Sequence, residues 1–425
     1  MIIKNNTIID EVDFDIIPIN PDWNKSDSKE LRMHRIHWYP AKFPPFIVSK
    51  AINFAKEHYS LKINTIADIF CGCGTTALES KLSDLDFWGC DINPVATLIA
   101  KVKSKDYESA QLQEYFQEIK AKFFINDLET PKEYLENERI NYWFDESQIK
   151  ELYKLLTLIR EEVTSQKYQD FFLCAFSNIL RKISRWLIKS IKPQVDPNKP
   201  TYNVIEEFEK QFKIMLKAVF ELEGYSCNKQ IKIETKNFLE YKFKSPLVDM
   251  VVTSPPYVTS YEYADLHQLS TLWLNYVQDY RDLRQGTIGS LHHNRLSEEE
   301  LDSLNSIGQK ICHEMIKRDK AKIKSIAKYF FDINKSIQHT YNMLHNNGMA
   351  IFLIGNTRYR DVYIDNAKYL TQCMLDAKFE EIHIFKRLIG SKILTRFRDA
   401  KGRFSASSNS RKVYNYEYVV IGVKK

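Results

Sequence analysis

The sequence predicts an α/β fold, a doubly wound parallel sheet with a terminal antiparallel hairpin and a helical insertion, and three stretches carry that expectation. The apolar run Ile63 to Phe70 is broken by Cys71-Gly72-Cys73-Gly74-Thr75-Thr76 before a helix through Ala77, Leu78 and Ser80. A second run, Asp86 to Cys90, closes on the acid Asp91, within Gly89-Cys90-Asp91-Ile92-Asn93-Pro94. A third, Val248 to Val252, leads into Thr253-Ser254-Pro255-Pro256-Tyr257, where two prolines end the strand and impose a rigid loop. Strand, glycine turn and helix start turn backbone amides and a helix dipole toward a ligand. An acid ending the next strand is where α/β nucleotide sites place their ribose-binding carboxylate. Together they point to a nucleoside-containing cofactor.

Composition sets the bounds. A chain of 425 residues exceeds the usual size of one hydrophobic core, so one elaborated domain or two domains are expected. Hydrophobic residues at 44% and charged residues at 27% argue against disorder. The net charge of +6 favours a polyanionic partner where the basic residues cluster. Of the seven cysteines only Cys71 and Cys73 lie close together, too tight for a zinc knuckle, so neither a metal site nor a disulfide framework is expected. With no signal peptide and no membrane-length apolar run, a reducing prokaryotic cytoplasm is the expected setting.

Taken in order, residues 1 to 30 read as an arm or a short edge strand. His34 to Pro45 holds histidines, aromatics and Lys42 in an extended, proline-fixed entry to a helix from Phe46 to about Ala55. Beyond Lys105 the pattern is helical over Tyr115 to Phe124, Glu146 to Glu162, Tyr168 to Ile191 and Val204 to Leu222. This gives three segments: 1–104 with the cofactor loop, 105–228 as an inserted helical lobe, and 229–425 with the catalytic loop. Within the lobe, Arg181 to Lys189 puts basic residues and Trp186 on a helix. Arg181 and Arg185 there suit contacts to phosphates, and the same run suits an ordinary amphipathic helix equally well.

Asp68-Ile69-Phe70-Cys71-Gly72-Cys73-Gly74-Thr75-Thr76 resembles the cofactor loop of the S-adenosylmethionine-dependent amino-methyltransferases of DNA, and Thr253 to Tyr257 resembles their catalytic loop. His37 to Pro45 is similar to the family segment that precedes the cofactor loop. The resemblance covers roughly residues 31–104 and 230–425 and implies seven strands in the class I methyltransferase order, with the cofactor loop after the first and the catalytic loop after the fourth. It implies S-adenosyl-L-methionine as cofactor, held by His37, Tyr39, Lys42, Phe43, Asp68, Phe70, Gly72, Gly74, Thr75, Thr76, Asp91 and Ile92. The end of a third strand, Gln230 to Thr235, adds Asn237 for the adenine, with Phe238 beside it.

The catalytic residues expected are Ser254, Pro255, Pro256 and Tyr257. A serine hydroxyl and the Pro255 carbonyl are two acceptors beside an aromatic face, which suits a planar heterocycle bearing an exocyclic amine. Tyr261 and Tyr263 follow and either wall a base pocket or pack beneath the next helix. Arg284 lies in a glycine-rich basic stretch from Asp279 to Asn294. Between strands at Glu381 to Leu388 and Tyr414 to Val423, the segment Gly390 to Lys412 carries Arg396, Arg398, Lys401 and Arg403, a basic loop suited to double-stranded DNA. A further basic run, Lys317 to Lys328, opens a helix through Met343, and Gly348 stops it before a strand from Met349 to Gly355.

Serine in the first loop position favours cytosine N4 over adenine N6 within the resembling family. A flipped cytosine in duplex DNA is therefore the expected substrate, in restriction-modification or epigenetic marking, and a separate restriction endonuclease is an allowed partner. A DNA-binding protein without turnover, or an amino-methyltransferase of RNA or of protein glutamine, stand as alternatives.

Overall fold

The computed structural model describes residues 1–4, 7–24, 29–40, 42–225, 228–258, 262–290, 301–359, 362–389 and 416–425, together with the backbone of 397–398, 404–405 and 411–412. The side chains of residues 320–322 are likewise outside the description. One twisted sheet organises the chain. Its strands are β1 (Ile2–Lys4), β2 (Thr65–Asp68), β3 (Asp86–Asp91), β4 (Ile231–Thr235), β5 (Val248–Thr253) and β6 (Leu344–Ile354). After a small hairpin, β7 (Thr357–Tyr359) and β8 (Val362–Ile364), come β9 (Glu381–Leu388) and, past the short strands β10 (Phe397–Arg398), β11 (Phe404–Ser405) and β12 (Arg411–Lys412), β13 (Tyr416–Val423).

Strand order across the sheet is β4-β3-β2-β5-β6-β13-β9-β1. The five strands from β4 to β6 run parallel, while β13 is antiparallel to both β6 and β9. This is the class I methyltransferase arrangement, a doubly wound sheet ending in an antiparallel hairpin, with β1 added as an edge strand against β9. The order reverses beside β2, because β3 lies on one side of it and β5 on the other. That crevice at the carboxyl ends is where open α/β sheets bind ligands.

Helices α1 (Phe46–Tyr59), α2 (Thr75–Leu82) and α3 (Pro94–Ser104) accompany the first strands. Gly74 opens α2 at φ +77°, and a Cβ there would lie 2.6 Å from the Ala100 Cα, so the glycine lets α2 and α3 close on each other. Between α3 and β4 the chain is helical: α4 (Ser109–Ile125), α5 (Lys132–Leu135), α6 (Glu138–Trp143), α7 (Glu146–Glu162), α8 (Gln166–Ile183) and α9 (Val204–Leu222). Their core is aromatic; Phe116 stacks on Phe212 at 4.1 Å, and Trp143 on Trp186 at 5.2 Å.

The sequence reading carried α8 on to Ile191, but the helix ends at Ile183. Lys199 folds back and its ammonium donates to the carbonyls of Arg181, Ser184 and Trp186, closing the helix end. Trp186 turns inward, fully buried, and pairs its backbone with Val195. The anticipated basic helical face is therefore not formed. The glycine stop at Gly348 is also displaced: the helix Lys320–Met343 passes straight into β6, and Gly348 lies inside that strand.

Candidate active site

The cofactor and catalytic loops meet in one cleft at the carboxyl ends of β2, β3, β4 and β5. It is lined by Tyr39, Lys42 and Phe43 from the entry segment, Phe70 to Cys73 with Thr75, Asp91 to Asn93, Lys236 to Phe238, and Ser254 and Pro256. Tyr263, Ala264 and the turn from Leu283 to Ile288 complete its wall.

Asp91 is the cleft's carboxylate. Its two oxygens accept the backbone N–H groups of Gly72 and Asn93, each at 2.8 Å. Burial pushes its pKa up, and those two amides oppose the shift. Each oxygen keeps lone-pair capacity after one amide contact, which suits hydroxyl donors from a ribose. Gly72 holds φ +47° beneath the Tyr39 ring, where a Cβ would lie 3.4 Å from the phenol oxygen.

At the other end, Phe70 meets Phe238 edge to face at 6.4 Å. The Asn237 Oδ1 accepts the Leu239 N–H at 3.0 Å, and its Nδ2 reaches the Gly286 carbonyl at 3.4 Å. Gly286, at φ +74°, leaves a narrow slot, since a Cβ there would lie 3.2 Å from Ile92 and 3.0 Å from the Asn237 amide. An apolar slot with amide donors beside a carboxylate fits an adenosyl group. The Tyr39 face and the loop from Cys71 to Thr75 line the rest of the cleft and would hold its amino-acid end.

Four residues expected to touch the cofactor turn elsewhere. Asp68 is fully buried and absent from the cleft wall. Its Oδ1 accepts the Thr253 hydroxyl at 2.6 Å and the Phe70 N–H at 3.1 Å, and its Oδ2 accepts the Thr76 hydroxyl at 2.8 Å. Thr76 is thus a partner of Asp68, and Gly74 serves helix packing. His37 Nδ1–H donates to the Trp38 carbonyl at 2.7 Å, and its Nε2 sits 3.0 Å from the Ser177 hydroxyl. Burial lowers its pKa to about 4, so the ring is neutral and braces the entry segment against α8. Lys42 does line the cleft, but its ammonium is held by Glu30 at 2.6 Å and the His34 carbonyl at 2.7 Å.

In the catalytic loop the Ser254 hydroxyl donates to the Leu353 carbonyl at 2.9 Å. With its one hydrogen committed, the oxygen faces other groups as an acceptor. Tyr257 donates its phenol hydrogen to Glu417 at 3.2 Å, and Glu417 pairs with the buried Arg387 directly across the β13–β9 ladder. Burial and that carboxylate raise the phenol well above its ordinary range and keep it protonated. Gly355 backs the ring, with a Cβ there only 3.1 Å from a Tyr257 ring carbon. Glu417, Arg387 and Thr253 went unassigned in the sequence, because each acts through a partner far away in the chain.

Of the expected DNA contacts, Tyr263 is in the cleft wall and stacks on Tyr39 at 6.4 Å. Arg284 pairs with Asp265 at 2.7 Å. Arg181 is spent on the Ile188 and Ser190 carbonyls with its guanidinium 3.8 Å above Trp38, and Arg185 on Asp145 and two backbone carbonyls of α6. Both brace the helical region. Tyr261, Arg396, Lys401 and Arg403 lie outside the described residues, as does the side chain of Arg398.

A family model described as DNA methylase, of the N6/N4 type, matches residues 6–102. The chain is 24% identical over 399 residues to the type II methyltransferase M.MvaI of Kocuria varians, covering 86% of each protein. Both likenesses support the family of S-adenosylmethionine-dependent DNA amino-methyltransferases. Two further type II methyltransferases are similar over shorter spans. M.BsoBI of Geobacillus stearothermophilus is 26% identical over 275 residues, 57% of this chain and 53% of that one. M.MjaII of Methanocaldococcus jannaschii is 26% identical over 181 residues, 43% of this chain and 28% of that one. These relatives support a DNA methyltransferase, and its cofactor is S-adenosylmethionine. Among the described residues no helix is long and apolar enough to cross a membrane.

Proposed function

We propose that this methyltransferase modifies the exocyclic N4 of a cytosine flipped out of double-stranded DNA. The observation that carries the reading is Ser254 at the head of the catalytic loop, its hydroxyl hydrogen donated to Leu353 and its oxygen left to accept. An aromatic amine is a poor nucleophile because its lone pair is delocalised into the ring. Ser254 Oγ and the Pro255 carbonyl would accept the two amine hydrogens and draw the nitrogen out of the ring plane. Tyr257 would stack on the extruded base, and the cleft wall would shield the reaction from water.

The bound cofactor supplies an activated sulfonium methyl. The protein's share is alignment: Asp91, Asn237 and Phe238 hold the adenosyl end while the loop after β5 fixes the amine. We assign the phosphate contacts to the basic segment of residues 390–412 and base reading to the helical insertion, residues 105–228. A restriction endonuclease, where one exists, would be a separate chain.

Incubation with unmethylated duplex DNA and S-adenosylmethionine, followed by nucleoside mass spectrometry, tests the reading. N4-methylcytosine is the expected product; N6-methyladenine in its place would overturn the assignment of the base. Ser254→Ala should bind the cofactor within about twofold of wild type and lose on the order of 100-fold in kcat, as removal of one preorganised polar contact does. Full turnover in that variant would remove Ser254 from the mechanism.

A further inference from the structure

We infer that Asp68 and Thr253 are positioning residues that lock the cofactor loop to the catalytic loop and so set the distance between methyl group and amine. The inference rests on the proposed function and deepens it. Asp68 ends β2 and opens the cofactor loop. Thr253 ends β5, and the next residue is Ser254. These neighbouring parallel strands carry the two halves of the site, and the 2.6 Å contact from the Thr253 hydroxyl to Asp68 Oδ1 ties their tips together.

The rest of the Asp68 coordination strengthens the tie. The same oxygen accepts the Phe70 N–H, fixing the first turn of the cofactor loop, while Thr76 clasps the other oxygen from the start of α2. The Thr76 hydroxyl also lies 3.2 Å from the Val252 carbonyl, a second crossing between the same two regions. Thr253 and Thr76 are both buried, so no solvent molecule competes for these contacts. None of the three side chains lines the cleft, and their effect on turnover is therefore indirect. Misplacement of reacting atoms by about 1 Å costs roughly 100-fold in rate, which makes a rigid link between the loops valuable.

The test replaces Thr253 in the full-length protein. Thr253→Val keeps the shape and removes the hydroxyl; it should bind S-adenosylmethionine within about twofold of wild type yet lose roughly 10- to 100-fold in kcat on duplex DNA. Thr253→Ser restores the hydroxyl without the methyl and should recover most of that loss. The Asp68 carboxyl, followed by carbon-13 NMR, should titrate higher in the valine variant, since a donor to the carboxylate is gone. Asp91, Cys71 and Cys90 are the titratable neighbours that act on Asp68, and all three are unchanged by the substitution.

Wild-type kcat in Thr253→Val, equal losses in the valine and serine variants, or an unmoved Asp68 titration would each overturn the inference. Should the valine variant fail to fold, Thr253→Ala replaces it with the same readouts. A wild-type protein that binds the cofactor and methylates no DNA base would instead refute the proposed function, while the NMR titration still tests the contact itself.

Discussion

Asp68 and Asp91 end adjacent parallel strands, both beside the same glycine-containing loop, yet they do opposite things. Asp91 is wrapped by two backbone amides and faces the cleft with acceptor capacity to spare. Asp68 is wrapped by two hydroxyls and an amide and faces only protein. The difference comes from the neighbouring strand. At the outer flank β3 has β4, whose end leaves the cleft open, whereas β2 lies against β5, which carries Thr253 into contact. A strand-end acid is thus left facing the cleft or tied into the protein according to what the adjacent strand presents.

The largest expected effects separate the two acids. Asp68→Ala strands the Thr253 hydroxyl and the Phe70 N–H, while Thr76 keeps the Val252 carbonyl, and an unsatisfied buried polar group costs about 1–3 kcal/mol. We expect about 3 kcal/mol of lost stability in urea unfolding. Asp91→Ala, facing the cleft, should change the unfolding midpoint little and weaken S-adenosylmethionine roughly 10- to 100-fold in calorimetric titration, the worth of a charge-assisted hydrogen bond. Reversed outcomes would mean that the roles are exchanged.

Proton linkage gives a second separation. Burial raises the Asp68 pKa from 3.8 to about 6, despite three donors that favour its charged form. The folded state therefore holds this proton more tightly than the unfolded chain does. Stability contributed by the group is complete below pH 4 and declines as pH rises toward 6, by up to about 3 kcal/mol. Asp68→Asn cannot titrate, so its stability relative to wild type should rise across that window and then level off. A constant difference between pH 4 and 7 would show that Asp68 is ionised throughout in the folded protein.

How legible this was in the sequence depends on the distance over which each feature is decided. Gly72, Asp91 and the two prolines act on their own backbone or at a strand end, so type and spacing announced the cleft and the order of the sheet. The pairing of Asp68 with Thr253 spans 185 residues and no local pattern signals it. The stretch from Arg181 to Lys189 was misread for the same reason. Its helical period runs on through Trp186, but Lys199 and Trp143, both distant in sequence, end the helix and draw the tryptophan inside. Arg181 and Arg185 then meet carbonyls and Asp145, where the pattern alone offered solvent and phosphate.

The smallest predicted effect probes the Asp91 side of the comparison by its backbone. Gly72 sits at φ +47°, a conformation that costs an L-residue about 1–2 kcal/mol, and its amide is one of the two that orient Asp91. The space itself is adequate, because an added Cβ meets Tyr39 only at ordinary contact distance, 3.4 Å from the hydroxyl. Gly72→Ala should therefore fold, with roughly a 3- to 10-fold loss of cofactor affinity as strain loosens the Asp91 contact. Its kcat at saturating cofactor should stay near wild type, since the Asp68–Thr253 tie is untouched. A fall in kcat with unchanged affinity would place the control of alignment in the glycine turn, and the division of labour between the two acids would have to be redrawn.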